Sequence, residues 1–157
     1  MSAMTTIVRA AFPEDLSRTR ELFADYARAV DAPECFEGFQ AELDGLPGEY
    51  ALPAGRVYLA LQGGAAVGCV ALRRLDADTG EVKRLYVRAA AQGGGVGRDL
   101  AREVIGAAKE IGYARLVLDT LPKMRAAAAL YRSLSFREIP PYLPLPTPGA
   151  ICFELRL

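Results

Sequence analysis

The sequence predicts an α/β fold, a mixed and largely antiparallel central sheet with helices on both faces. Three observations carry this. Residues 56–62 and 65–75 are strand-like runs joined by Gly63-Gly64, a two-residue hairpin signal. A turn at residues 76–80 then returns the chain into Glu81-Val82-Lys83-Arg84-Leu85-Tyr86-Val87, completing an antiparallel meander. Finally, a glycine-rich turn leads from Val87 to a helix-like run and back to a strand. That strand–helix–strand crossover requires its two strands to be parallel.

The remaining elements follow from local pattern. Residues 6–11 alternate weakly and read as a first strand. Pro13-Glu14-Asp15 opens a helix to Val30, with Leu16, Leu22, Phe23, Tyr26 and Val30 on its apolar stripe. A short second helix is expected from Pro33 to Leu46, and a loop over residues 47–55. Val96, Leu100, Val104, Ala108 and Ile111 line one face of a helix over residues 96–111. A strand is expected over residues 115–120, and Pro122 opens an alanine-rich helix to Leu134. Pro140, Pro141, Pro144, Pro146 and Pro148 mark an extended ordered loop or lid. Residues 150–157 close the sheet.

At 157 residues the chain reads as one domain, 1–157, with room for a substantial core. Nineteen basic and nineteen acidic residues cancel, so no global field draws it to nucleic acid or an anionic membrane. No apolar run approaches spanning length, and Pro13-Glu14-Asp15 comes too early for a signal peptide. Cys35, Cys69 and Cys152 are scattered without metal spacing and read as reduced, buried thiols of a cytoplasmic protein. Histidine is absent, which removes Ser-His-Asp and Cys-His catalysis and the commonest zinc ligand. No metal is expected.

Gln92-Gly93-Gly94-Gly95-Val96-Gly97 sits between a strand and a helix start. Bare backbone there can aim several N–H groups at one ligand, and the helix dipole adds positive potential. Both favour phosphate oxygens. A nucleoside-triphosphate loop needs Lys and Ser/Thr after its last glycine, where Arg98-Asp99 stands. A G-x-G-x-x-G fingerprint fails too, because its third position falls on Leu100 or Arg98. Q-x-x-G-x-G remains.

This pattern resembles the pyrophosphate loop of the GCN5-related N-acetyltransferases. Residues 81–87 look like that family's central strand, and Ala127-Ala128-Ala129-Leu130-Tyr131-Arg132-Ser133-Leu134-Ser135-Phe136 is similar to its A-x-x-L-Y-x-x-x-G-F segment. The resemblance covers the chain from Arg56 onward. It implies acetyl-CoA as co-substrate, held where the fourth and fifth strands splay, and an acyl-CoA N-acyltransferase-like fold. Gln92, Gly93, Gly94, Gly95, Val96 and Gly97 would hold the diphosphate, with Arg98 as charge partner. Leu85, Tyr86 and Val87 would offer backbone groups freed by a strand bulge to the thioester and pantetheine. Two departures stand out. Ser135 replaces a glycine, which suggests a slightly different turn, and Met124 replaces an asparagine that bonds pantetheine.

The same resemblance assigns Tyr131 as the acid that protonates the leaving thiolate, against a plain core role on an apolar helix face. It makes Glu81 the candidate base, directly or through water, against a surface carboxylate paired with Lys83 or Arg84. Asp119 and Thr120 read as caps of the following helix or as pantetheine contacts, and Lys123 and Arg125 as a solvated face.

The function implied is direct transfer of acetyl to a primary amine in a ternary complex. The acceptor would be a small-molecule or amino-acid-like amine, in a pocket drawing on Tyr26, Phe36, Phe39, Tyr142 and Arg84. A protein or peptide amine, a non-catalytic acyl-CoA sensor and a nucleotide-binding module are the alternatives. No nucleic-acid or membrane partner is expected, and a homodimer is left open.

Overall fold

Among the described residues, seven strands form a single sheet in the order β1-β2-β3-β4-β5-β7-β6. They are β1 (Thr5–Arg9), β2 (Arg56–Gln62), β3 (Ala65–Asp76), β4 (Thr79–Val87), β5 (Arg115–Thr120), β6 (Arg137–Ile139) and β7 (Ile151–Arg156). The helices are α1 (Leu16–Val30), α2 (Phe39–Asp44), α3 (Val96–Ile111) and α4 (Arg125–Ser133). This computed structural model describes residues 4–144 and 147–157, and the backbone alone at residues 34 and 35. The burial expected of Cys35 and the extended path expected at Pro146 fall outside the described residues.

Both sheet faces are covered, which explains the nearly continuous apolar runs of β2 and β3. Val57, Leu59, Cys69 and Ala71 face Leu22 and Phe23 of α1. Their alternating neighbours Tyr58, Ala60, Val70 and Leu72 face Leu100, Val104 and Ala108 of α3. At the β2–β3 hairpin, Gly63 and Gly64 have φ of 58° and 83°, the pair of left-handed residues that a type I′ turn requires.

All pairings are antiparallel except β4 with β5, which is parallel. That ladder contains only Thr79↔Arg115, Gly80↔Leu116 and Glu81↔Val117. Beyond it β4 stays with β3 as far as Gly68↔Val87, while β5 stays with β7 as far as Thr120↔Ile151. The sheet therefore splits into a V after Glu81 and Val117, and the cleft of the protein opens in that split.

Several expectations are corrected. The proline-rich segment begins with a short strand, β6, an edge piece three residues long paired to β7. The helix expected from Pro33 is broken into a 3-10 turn at Pro33–Phe36 and α2, separated by Gly38 at φ 75°. The helix expected from Pro122 starts at Arg125, with Met124 as its cap residue.

Candidate active site

The bulge that opens the site lies on β4. Cys69 faces Tyr86 and Ala71 faces Lys83, so Arg84 and Leu85 together oppose Val70. Arg84 has φ 61°, which costs a non-glycine residue roughly 1–2 kcal/mol. Its side chain shows what holds it there. Arg84 Nε and Nη2 donate to both oxygens of Glu42 at 2.9 and 2.7 Å, and the guanidinium lies 5.1 and 5.3 Å from the Phe36 and Phe39 ring centres. The Cys69 thiol donates to the Arg84 carbonyl at 3.2 Å. Burial pushes the pKa of that thiol up, so it is a structural donor rather than a thiolate nucleophile.

Past the bulge, β4 runs into the glycine loop. Gln92 Nε2 donates to the Val87 carbonyl at 2.9 Å and fastens the loop to the strand end. Gly93 and Gly95 have φ of 86° and 85°, and Gly95 is the cap residue of α3. The first main-chain bond of the helix is donated by Asp99 to Gly95, at 3.0 Å. Among the described residues, the N–H groups of 93 through 98 donate to no protein acceptor. Six consecutive free amides at a helix start offer donors of the kind that suit an anion.

Gly93, Gly95, Val96 and Gly97 of this row border a cleft of about 570 Å³. Leu85, Tyr86, Val87, Gln92, Gly93, Gly95, Val96 and Gly97 line it from one side, with Tyr26, Met124 and Leu130 opposite. Gly94 and Arg98 are not among the lining residues. Arg98 Nη2 instead donates to Ser133 Oγ of α4 at 2.9 Å. Lys123 does border the cleft, and its Nζ donates to the Asp31 carbonyl at 3.2 Å, reaching from the approach to α4 to the end of α1. Its side chain is exposed, as the reading of a solvated face expects.

A small chamber of about 40 Å³ lies in the V of the sheet, lined by Leu85, Tyr131, Lys83 and Asp119 among others. Tyr131 is 6% exposed, and its ring packs on Phe136 and Phe153 at 5.5 and 6.0 Å. Burial first, then Tyr26 and Asp119, pushes its pKa above the ordinary phenol range. The phenol is thus held in its proton-bearing form. Core packing and access to the chamber coexist in one side chain. Ser135 has φ 74°, so the serine adopts the left-handed geometry that glycine favours, at about 1–2 kcal/mol, rather than avoiding it.

Glu81 is fully buried, not an exposed strand-start carboxylate. Arg73 Nε donates to its Oε1 at 2.6 Å and the Tyr142 hydroxyl to its Oε2 at 2.5 Å. Neither Glu81 nor Tyr142 lines the chamber or the cleft. Burial, then the Glu81 charge and hydrogen bond, raises the Tyr142 pKa. The two residues tie the proline-rich segment to β4.

A third cavity, about 190 Å³, continues from the chamber toward that segment. Tyr26, Phe36, Lys83, Arg84, Asp119, Leu143 and Thr147 contribute to its wall, and Phe39 does not. Asp119 is no helix cap, because α4 has no side-chain cap bond. Thr120 Oγ1 lies 3.6 Å from the Met124 sulfur. The sequence reading did not single out Lys83 for the acceptor, or Leu143 and Thr147. Only the alternation of β4 in register with β5 could have signalled Lys83.

The architecture has known counterparts. The model of the acetyltransferase (GNAT) family matches residues 8–136. The chain belongs to that family. This acetyltransferase is 32% identical over 147 residues to an uncharacterized N-acetyltransferase of Schizosaccharomyces pombe, covering 92% of this chain and 90% of that protein. A GNAT-family acetyltransferase from Staphylococcus aureus Mu50 shares its fold with a TM-score of 0.80 at 22% identity, over 98% of this chain and 99% of that one. A GNAT-family acetyltransferase from Elizabethkingia anophelis, solved with acetyl-CoA bound, gives 0.66 at 23% identity, over 98% of each chain. The protein is accordingly an acyltransferase of the N-acetyltransferase type, and among the described residues no helix is long and apolar enough to cross a membrane.

Proposed function

We propose that this acetyltransferase moves acetyl from acetyl-CoA directly to the amine of a small primary-amine or amino-acid-like acceptor, with both substrates bound together. The observation that carries the reading is the row of free amides at 93–98, bordering a cleft that leads to the proton-bearing Tyr131. The residues present fit the coenzyme. Unpaired amides at a helix start suit a diphosphate, and a cleft of about 570 Å³ is within the range of cofactor sites. The Elizabethkingia relative, solved with acetyl-CoA bound, supports the same choice.

The coenzyme supplies an activated acyl carbon and a thiolate leaving group. The protein's part is binding, orientation and proton handling. Gly93, Gly95, Val96 and Gly97 hold the phosphates through their amides. Leu85, Tyr86 and Val87 present backbone at the bulge, where a carbonyl oxygen gaining charge would be stabilised. Tyr131 gives its proton to sulfur as the carbon–sulfur bond breaks, and recovers one from the nitrogen that has formed the new bond. An alkyl ammonium is mostly protonated at neutral pH, with a pKa of about 10.4, so its other proton must leave before attack. Glu81 has both oxygens engaged by Arg73 and Tyr142, so a base role for it requires one of those bonds to open. The acceptor enters by the cavity of about 190 Å³. The buried thiols of Cys69 and Cys152, free of disulfides, agree with a reducing, cytoplasmic setting.

The test is coenzyme release from acetyl-CoA with a panel of primary amines, for the wild type, Tyr131→Phe and Glu81→Gln. Amine-dependent turnover that collapses in Tyr131→Phe is expected. Coenzyme binding without turnover across the whole panel would contradict the proposal.

A further inference from the structure

We infer that the acceptor carries an anionic group as well as its amine, with Lys83 binding the anion and Asp119 the amino end. This deepens the function proposed above and rests on it. The argument begins with register. The parallel ladder ends at Glu81↔Val117, so the next same-face pair would be Lys83 and Asp119, two residues further along each strand. Arg73, paired with Glu81, bonds it on that face, and Ala71, paired with Lys83, packs toward α1 there.

In a continuous ladder these opposite charges would stand side by side and neutralise each other. Here the strands diverge at that point, and the two charges are held apart. Both line the chamber beside Tyr131, and both line the cavity of about 190 Å³ beyond it. Both are only partly exposed. Among the described residues neither side chain takes part in a hydrogen bond or an ion pair, whereas nearby charges are satisfied. Arg84 is occupied by both oxygens of Glu42, and Glu81 by Arg73 and Tyr142. Among the described residues, Lys83 is therefore the cation in this wall left to meet a ligand, and Asp119 the anion.

Partly buried charges without partners are costly, and a ligand bearing the complementary pair relieves both at once. A simple alkyl amine would satisfy Asp119 and leave Lys83 unmet. A small amino acid meets both, and a cavity of about 190 Å³ suits a ligand of that size. Phe36, Leu143 and the stem of Val30 supply an apolar wall for its side chain.

The experiment compares amino acids with their carboxamides as acceptors, using acetyl-CoA, in the wild type, Lys83→Met, Lys83→Arg and Asp119→Asn. The wild type is expected to favour the free carboxylate by at least about tenfold in kcat/KM. Lys83→Met should collapse that preference by about 10- to 100-fold, mainly through KM, and Lys83→Arg should restore most of it. Asp119→Asn should weaken both acceptors alike. Calorimetry with coenzyme A checks that each variant still folds and binds. Equal use of carboxylate and carboxamide by the wild type would overturn the inference while leaving the proposed reaction standing. So would a Lys83→Met that depresses both acceptors equally. Failure to bind coenzyme A or to acetylate any amine would overturn the reaction itself, and this inference with it.

Discussion

The proposed coenzyme cleft and the proposed acceptor cavity share Tyr26, Val30 and Met124, with the Tyr131 chamber beside them, yet they are built on opposite principles. One wall of the cleft is offered largely by main chain, the free amides of the glycine loop and a bulged strand from one stretch between Leu85 and Gly97, facing Tyr26, Met124 and Leu130. The cavity is made of side chains drawn from α1, the 3-10 turn, β4, the end of β5 and the proline-rich segment. A main-chain site depends on conformation, so it tolerates little change in backbone. A side-chain site can be rewritten one residue at a time without disturbing the fold. Within one protein this separates a fixed chemistry from an adjustable choice of acceptor.

Substitutions on each side can break or sharpen that contrast. The largest effect is expected at the junction. Tyr131→Phe keeps the ring packing on Phe136 and Phe153 but removes the donor, and kcat should fall about 100-fold with little change in coenzyme affinity. Stopped or steady-state turnover beside calorimetry checks this; a variant within threefold of wild type would remove the acid role. Next comes Tyr142→Phe, which leaves a buried oxygen of Glu81 without its donor. Denaturant unfolding should show a loss of about 1.5–3 kcal/mol, with acceptor KM rising and coenzyme affinity unmoved. A shift in coenzyme affinity instead would mean that the two sites are not separable.

On the main-chain side, Gly95→Val meets no steric obstacle but must accept φ 85°. The strain of about 1–2 kcal/mol should turn the loop out of its binding geometry and weaken coenzyme binding roughly tenfold. Unchanged affinity would show that the loop conformation does not matter. The smallest expected effect is a flat line. Because burial raises the Tyr131 pKa, its phenol still holds a proton where a free tyrosine, near about 10, is half ionised. The acid form is present below that pH and lost only above it, so kcat should not decline on the alkaline side up to about pH 10. A fall centred nearer pH 8 would point to a different acid.

The contrast also explains what was legible in the sequence. Where one short segment makes a structure, its residues announce it. The strand at Arg56–Gln62, the helix at Val96–Ile111, the strand at Arg115–Thr120 and the loop at Gln92 to Gly97 all lie where alternation, periodicity and glycine place them. Features that depend on distant partners left weaker traces. β6 is held by pairing with β7 rather than by its own three residues, Arg137-Glu138-Ile139. Glu81 resembles a surface carboxylate in sequence, because Arg73 and the Tyr142 hydroxyl are 8 and 61 residues away. The solitary state of Lys83 and Asp119 follows from where β4 leaves β5, a property of the sheet that neither strand displays alone. The Arg98–Ser133 bond joins two helices 35 residues apart and was equally hidden.

Titrating coenzyme A into uniformly ¹⁵N-labelled protein, with 3′-dephospho-coenzyme A and pantetheine as controls, tests the central claim most directly. The amide resonances of residues 93–98 should move strongly downfield with both diphosphate-bearing ligands and stay in place with pantetheine, which lacks the diphosphate. Binding of coenzyme A that leaves those six amides unmoved would contradict the account.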